Sequence, residues 1–139
     1  MPKGVKVTGK RRLTRKLDDL PKVAQAEIRR AMERHAKALV RMMRRLVPVG
    51  DGDLKRSIGW TWDEPPKGSL PLATGSLDGS TITVYAGNDE AFYARFVEFG
   101  RENVPAQPFF LYAWRALGKK AKRAIKAAAR RAARKVASS

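Results

Sequence analysis

The sequence predicts an α+β domain: a long N-terminal helix and a C-terminal helix packed on a small antiparallel sheet, with a short helix before the C-terminal one. Three observations predict it. Apolar residues recur at steps of three and four from Pro21 to about Val47, and again from Pro108 to about Val136, the period of an amphipathic helix. Thr81 to Ala86 is β-branched and alternating between Gly79 and Gly87, as a strand is. Two turn-rich stretches link long helix to strand region: Val47-Pro48-Val49-Gly50-Asp51-Gly52-Asp53-Leu54-Lys55-Arg56-Ser57-Ile58, and Tyr93-Ala94-Arg95-Phe96-Val97-Glu98-Phe99-Gly100 leading to Pro105-Ala106-Gln107-Pro108-Phe109-Phe110.

Residues 1–10 are rich in Gly and Lys without periodicity and read as a flexible basic arm. Pro21 suits the first turn of a helix, where its missing N–H costs nothing. Ile28, Met32, His35, Leu39, Met42 or Met43, and Leu46 form one apolar face, and the arginines fall mainly on the others. Pro48 ends this helix, because the residue before a proline is pushed out of the α region. Asp51 or Asp53 can cap a helical turn through Leu54, Lys55 and Arg56. Ser57 to Glu64 alternates as a strand, with Ile58, Trp60 and Trp62 on one face. Residues 67–79 read as a long loop or hairpin tip with a short strand near Leu70–Ala73. Residues 91–99 suit a short helix closed by Gly100 in a left-handed C-cap. The final stripe is Phe110, Trp114, Leu117, Ala121, Ile125, Ala128 and Ala132. It thins to alanine after Ile125, so its distal half is expected to project or to pack against another chain. The expected organisation is an arm at 1–10, a single α+β domain at 11–125 and a basic, Ala-rich helical extension at 126–139.

At 139 residues with 43% hydrophobic content, one folded domain is expected. The net charge of +17 is unevenly spread. Residues 1–47 carry 15 Lys/Arg against 4 Asp/Glu, residues 48–112 carry 5 against 9, and residues 113–139 carry 10 against none. Basic ends around a mildly acidic middle suggest a polyanionic or acidic neighbour. With no cysteine, disulfides and thiolate metal sites are excluded. No apolar run approaches the roughly 20 residues that span a bilayer, and the basic N-terminus lacks the apolar core of a secretory signal.

No constellation for catalysis stands out. His35 is the single histidine and lies on an apolar stripe, where a partly buried core role outweighs a ligand or base. Asp51 and Asp53 lack the glycine and terminal glutamate offsets of a calcium loop, so they read, with Ser57, as turn and cap residues. Asp63 and Glu64 are neighbours on the expected strand and point to opposite faces, poor geometry for an acid–base pair. Gly118-Lys119-Lys120 lacks the upstream glycine of a phosphate loop. Ser57 and Ser69 have no partners for a triad. The sequence therefore reads as non-enzymatic, with no cofactor and no metal.

Two sets of residues are candidates for contacts instead. Lys119, Lys120, Lys122, Arg123, Lys126, Arg130, Arg131 and Arg134, in a run of nine cations without an acid, could meet an acidic partner or lie along a phosphate backbone. No aromatic residue interleaves them, so stacking on single strands is not indicated. Tyr93, Arg95, Glu98, Gly100, Arg101, Pro108 and Phe109 are candidates for a subunit interface or for ordering the 101–107 loop. Phe96 and Phe99 of the same stretch read as core. Glu98, the lone acid between Arg95 and Arg101, is expected to hold that loop by accepting backbone N–H bonds or by pairing with arginine.

In this order and spacing, the basic amphipathic helix, the proline stop, Gly50-Asp51-Gly52-Asp53-Leu54-Lys55-Arg56-Ser57-Ile58, the strand hairpin, Tyr93–Gly100, Pro105–Phe110 and the last helix resemble the tail-completion, or head–tail joining, family of long-tailed double-stranded DNA bacteriophages and phage-like particles. The likeness covers roughly residues 12–125. It departs where Gly50-Asp51-Gly52 replaces the family's Asp-Thr-Gly, and where Arg101 replaces a threonine after Phe99-Gly100. The resemblance implies a homo-oligomeric ring, a hexamer, at the neck of the virion, assembled in the host cytoplasm. One face would dock on the head stopper or connector ring and the other on the tail tube or its terminator, with double-stranded DNA passing through the lumen and no membrane involved. A basic DNA-binding or architectural protein, and a tail-terminator or minor tail protein, are the alternatives.

Overall fold

The structure is a computed structural model and describes residues 22–48, 52–88, 94–103 and 105–138. Helix α1 (Lys22–Leu46) is followed by the short α2 (Gly52–Ser57), and the strands are β1 (Gly59–Thr61), β2 (Leu70–Leu77) and β3 (Ser80–Ala86). The short α3 (Ala94–Phe99) then leads to the long α4 (Phe110–Ser138). The three strands form one antiparallel sheet in the order β1-β3-β2. The fold is α+β, as expected.

Helix α1 buries most of the predicted stripe: Ile28 and Met43 are fully buried, Met32 and Leu39 nearly so, and His35 and Met42 are half-buried, while Val40, outside the stripe, is also buried. This face lies over the sheet, whose contribution to the same core includes Leu72, Leu77, Ile82 and Val84. Leu46, assigned to the stripe from sequence, is instead exposed at the end of the helix. Val47 takes the buried place one residue later and closes α1 with a 3.0 Å N–H bond to the Met43 carbonyl.

The strands differ from expectation in two places. The first is shorter: Ser57 ends α2 and the ladder with β3 runs only from Gly59 to Thr61, so Asp63 and Glu64 lie beyond the sheet. The second is longer: β2 extends over eight residues where a loop was expected. Asp78 and Gly79 explain it. Both have positive φ (52° and 77°), and Leu77 pairs with Ser80 across them. That is the two-residue turn whose twist matches a hairpin, and Asp-Gly is its standard sequence signal. The register irregularity between Pro71 and Ala73 accommodates the proline, which an edge strand tolerates.

The largest correction concerns α4. Its distal half neither projects nor needs another chain, because it lies antiparallel along α1. Ala128, Ala129 and Ala132 are buried, as are Ala24 and Ala31 on α1. Small residues on both helices let the backbones approach closely. At the far end the Lys135 ammonium meets the Glu27 carboxylate at 2.5 Å.

Candidate assembly surface and basic face

The turn before α4 is organised by Glu98. Its side chain is on the last turn of α3, only 3% exposed. Oε1 accepts the N–H groups of Phe109 at 3.0 Å and Phe110 at 2.7 Å, and Oε2 accepts that of Leu111 at 3.1 Å. The first amides of a helix have no partner within it and carry partial positive charge, so a carboxylate here satisfies the donors and complements the dipole. The expected backbone contact exists, but to the start of α4 rather than within the 101–107 loop.

Around this lock the backbone is tightly specified. Gly100 (φ 75°) closes α3 with an N–H bond to the Phe96 carbonyl at 2.8 Å, and the Gln107 N–H reaches the Val97 carbonyl at 2.8 Å. Phe109 is fully buried and Pro108 half-buried, so both anchor the turn from inside the subunit. Arg101 is exposed and places its guanidinium 5.4 Å from the Phe96 ring centroid. Phe99 is not core as expected: it is 45% exposed. It precedes the C-cap glycine, where the buried position of the turn is already taken by Glu98. Leu111 and Tyr112, on the first turn of α4, are also exposed. Three large apolar side chains therefore stand beside a single buried carboxylate. Tyr93 lies outside the described residues.

A second constellation joins α2 to the sheet. The Ser57 hydroxyl donates to the Leu54 carbonyl at 2.6 Å and accepts the Gly87 N–H at 2.8 Å, while buried. It ties the end of α2 to the exit of β3. Arg44 adds a 2.7 Å bond from Nη2 to the Ile58 carbonyl. Asp53 pairs with Arg56 at the exposed surface, in the first turn of α2. Asp51 is outside the described residues. On the other edge Trp62 donates from Nε1 to Glu33 at 2.7 Å, with the Arg29 guanidinium 4.0 Å from the Trp62 ring centroid.

The predicted cations of α4 are exposed, except Lys122, which is half-buried 5.7 Å from the Trp114 ring centroid. The structure brings α1 cations beside them. His35 titrates below its ordinary value because burial disfavours the charged form and because Arg34 and Lys120, from the two helices, repel it. Glu27 is held below the usual carboxylate range by its hydrogen bond to Lys135, with Arg30 and Arg131 adding attraction. No local pattern in the chain signals this convergence, because the residues are some 80 to 110 positions apart. Between α1, the sheet and α4 lies an apolar groove of about 150 Å³, whose lining includes Met32, Gly75, Trp114, Gly118 and Ile125. Among the described residues no group of acids and histidine could hold a metal ion, and no helix is long and apolar enough to cross a membrane.

Residues 11–100 match the HK97-gp10-like family, described as "Bacteriophage HK97-gp10, putative tail-component". The chain belongs to that family. The matched span takes in α1 to α3 and the whole sheet and ends before α4. No curated protein and no solved structure matched. As a phage tail component the protein is a structural part of the virion and works by contact with other virion proteins. The resemblance read from the sequence to phage tail-completion proteins agrees with this membership.

Proposed function

We propose that copies of this tail component close into a ring, six by the resemblance, at the neck of the particle. One side joins the head stopper or connector and the other joins the tail tube or its terminator, with double-stranded DNA passing through the lumen. The observation that carries this reading is the exposed trio Phe99, Leu111 and Tyr112 beside the buried Glu98 lock, on a chain whose apolar groove is lined by other residues. Two unlike apolar features on one subunit are what a head-to-tail contact needs, and such contacts form a ring with no open patch when the rotation between neighbours closes. Arg95, Gly100 and Arg101 flank the trio and belong to the same contact; Glu98, Pro108 and Phe109 hold it in shape from within. A role in catalysis has no support from any cluster described above.

The test is electron microscopy and native mass spectrometry of the purified protein, with imaging of the particle. The expected result is a discrete ring with an open channel, six copies in number, at the head–tail junction. Solitary subunits both in solution and in the virion would overturn the proposal.

A further inference from the structure

The two long helices carry 18 Lys/Arg and only 2 Asp/Glu. Both acids are engaged within the subunit, Glu27 by Lys135 and Glu33 by Arg29 and Trp62. Nine of the other cations fall into two rows. On α1, Arg30, Arg34, Lys37 and Arg41 share one helical face and line one shallow surface depression. On α4, Lys119, Arg123, Lys126, Arg130 and Arg134 share another by the same spacing, and all are exposed. Lys120 and Arg131, both exposed, bridge the rows: at 15 and four residues before Lys135 they lie on the same flank of α4 as that residue, which reaches Glu27 on α1. The result is one continuous basic face built from both helices.

We propose that this α1–α4 face binds the phosphate backbone of double-stranded DNA without regard to sequence. At 1.5 Å rise per residue the α4 row is about 22 Å long. A duplex presents one charge per about 1.7 Å, hence roughly 13 phosphates over that length, against the eleven cations named. Among the described residues a protein partner is disfavoured by the lack of an apolar centre: the large apolar side chains exposed there are Leu46, Phe99, Leu111, Tyr112 and Val136, none of them within either row. Interfaces with DNA, by contrast, are polar and strongly positive. The inference deepens the neck reading by naming the surface turned to the DNA, and rests on it only for the source of that DNA.

The experiment measures binding of the full chain to a random-sequence 40-base-pair duplex by fluorescence anisotropy across a salt series. Affinity should fall by about 10³-fold or more between 50 and 200 mM salt, as expected for six or more phosphate contacts. The triple variant Arg30→Gln, Arg34→Gln, Arg41→Gln should lower the slope of log affinity against log salt by about 2.7, at 0.9 per contact. A control with the same loss of charge away from the face, Lys55→Gln, Arg56→Gln, Lys67→Gln, should leave the slope unchanged. Circular dichroism checks that both variants keep their helices. Equal losses from the two variants would overturn the inference, as would absence of binding at 50 mM salt. A second readout is built in, since His35 is the single histidine. Its NMR titration should move up toward the ordinary value when phosphates neutralise Arg34 and Lys120, and an unmoved titration on saturation with duplex would also overturn the inference. Rings that ignore DNA would sink this inference alone. A solitary subunit that binds DNA would sink the neck reading alone.

Discussion

Replacing Glu98 with alanine removes the acceptor of three backbone amides at once, the N–H groups of Phe109, Phe110 and Leu111. Phe109 and Phe110 are themselves buried, so their amides cannot turn to water. Each buried donor left without a partner costs about 1–3 kcal/mol. The Leu111 amide is only partly buried and can be rehydrated, so it contributes little. Loss of the carboxylate from the positive end of α4 adds about 0.3–1 kcal/mol. The sum is about 2–7 kcal/mol, a large part of the roughly 5–15 kcal/mol that keeps a domain folded. At about 3–4 °C per kcal/mol for a domain of this size, the Tm should fall by roughly 7–28 °C. Glu98→Gln keeps one acceptor oxygen and should lose about half as much. Differential scanning calorimetry of both variants is the assay. If Glu98→Ala melted within about 2 °C of the parent, the capping argument would be wrong; equal losses from the two variants would show that the carboxylate's second oxygen and charge carry everything.

Three further predictions concern other parts of the fold. Gly79→Ala meets no atom within 4 Å but must hold φ near +77°, so it should cost about 1–2 kcal/mol by chemical denaturation with no change in the core; a neutral result would refute the turn assignment. His35 binds its proton less readily when folded than when unfolded, so its contribution to stability is present above about pH 6.5 and is lost as pH falls through the lower folded value. The difference in Tm between the parent and His35→Gln should therefore change over pH 4.5–7.5, and a flat difference would contradict the burial and the nearby cations. Truncation after Ile125 removes the buried Ala128, Ala129 and Ala132 and uncovers the start of α1, so the subunit itself should lose about 2–3 kcal/mol at 0.8 kcal/mol per buried methyl; an unchanged Tm would mean that α4 does not dock there.

Much of this protein could be read from its chain. The long helices follow from apolar residues at steps of three and four, and a helix's period is a local property. The Asp78-Gly79 turn was also written in the sequence, yet Pro71 and Gly75 made β2 resemble a loop; edge position is what lets a strand carry both. The alanines after Ile125 are silent by nature, since a methyl suits solvent as well as a tight helix contact. Phe99 has an apolar side chain and a helical spacing but no place inside, because Glu98 fills the turn's interior.

The sequence by itself determined the fold class, the family and the excess of positive charge, since periodicity, motif order and composition need no knowledge of neighbours in space. Only the tertiary structure decided where the charge and the polar contacts converge. Glu98 finds its donors 11 to 13 residues away, and Lys135 meets Glu27 across two helices, because antiparallel packing joins positions that no local rule connects.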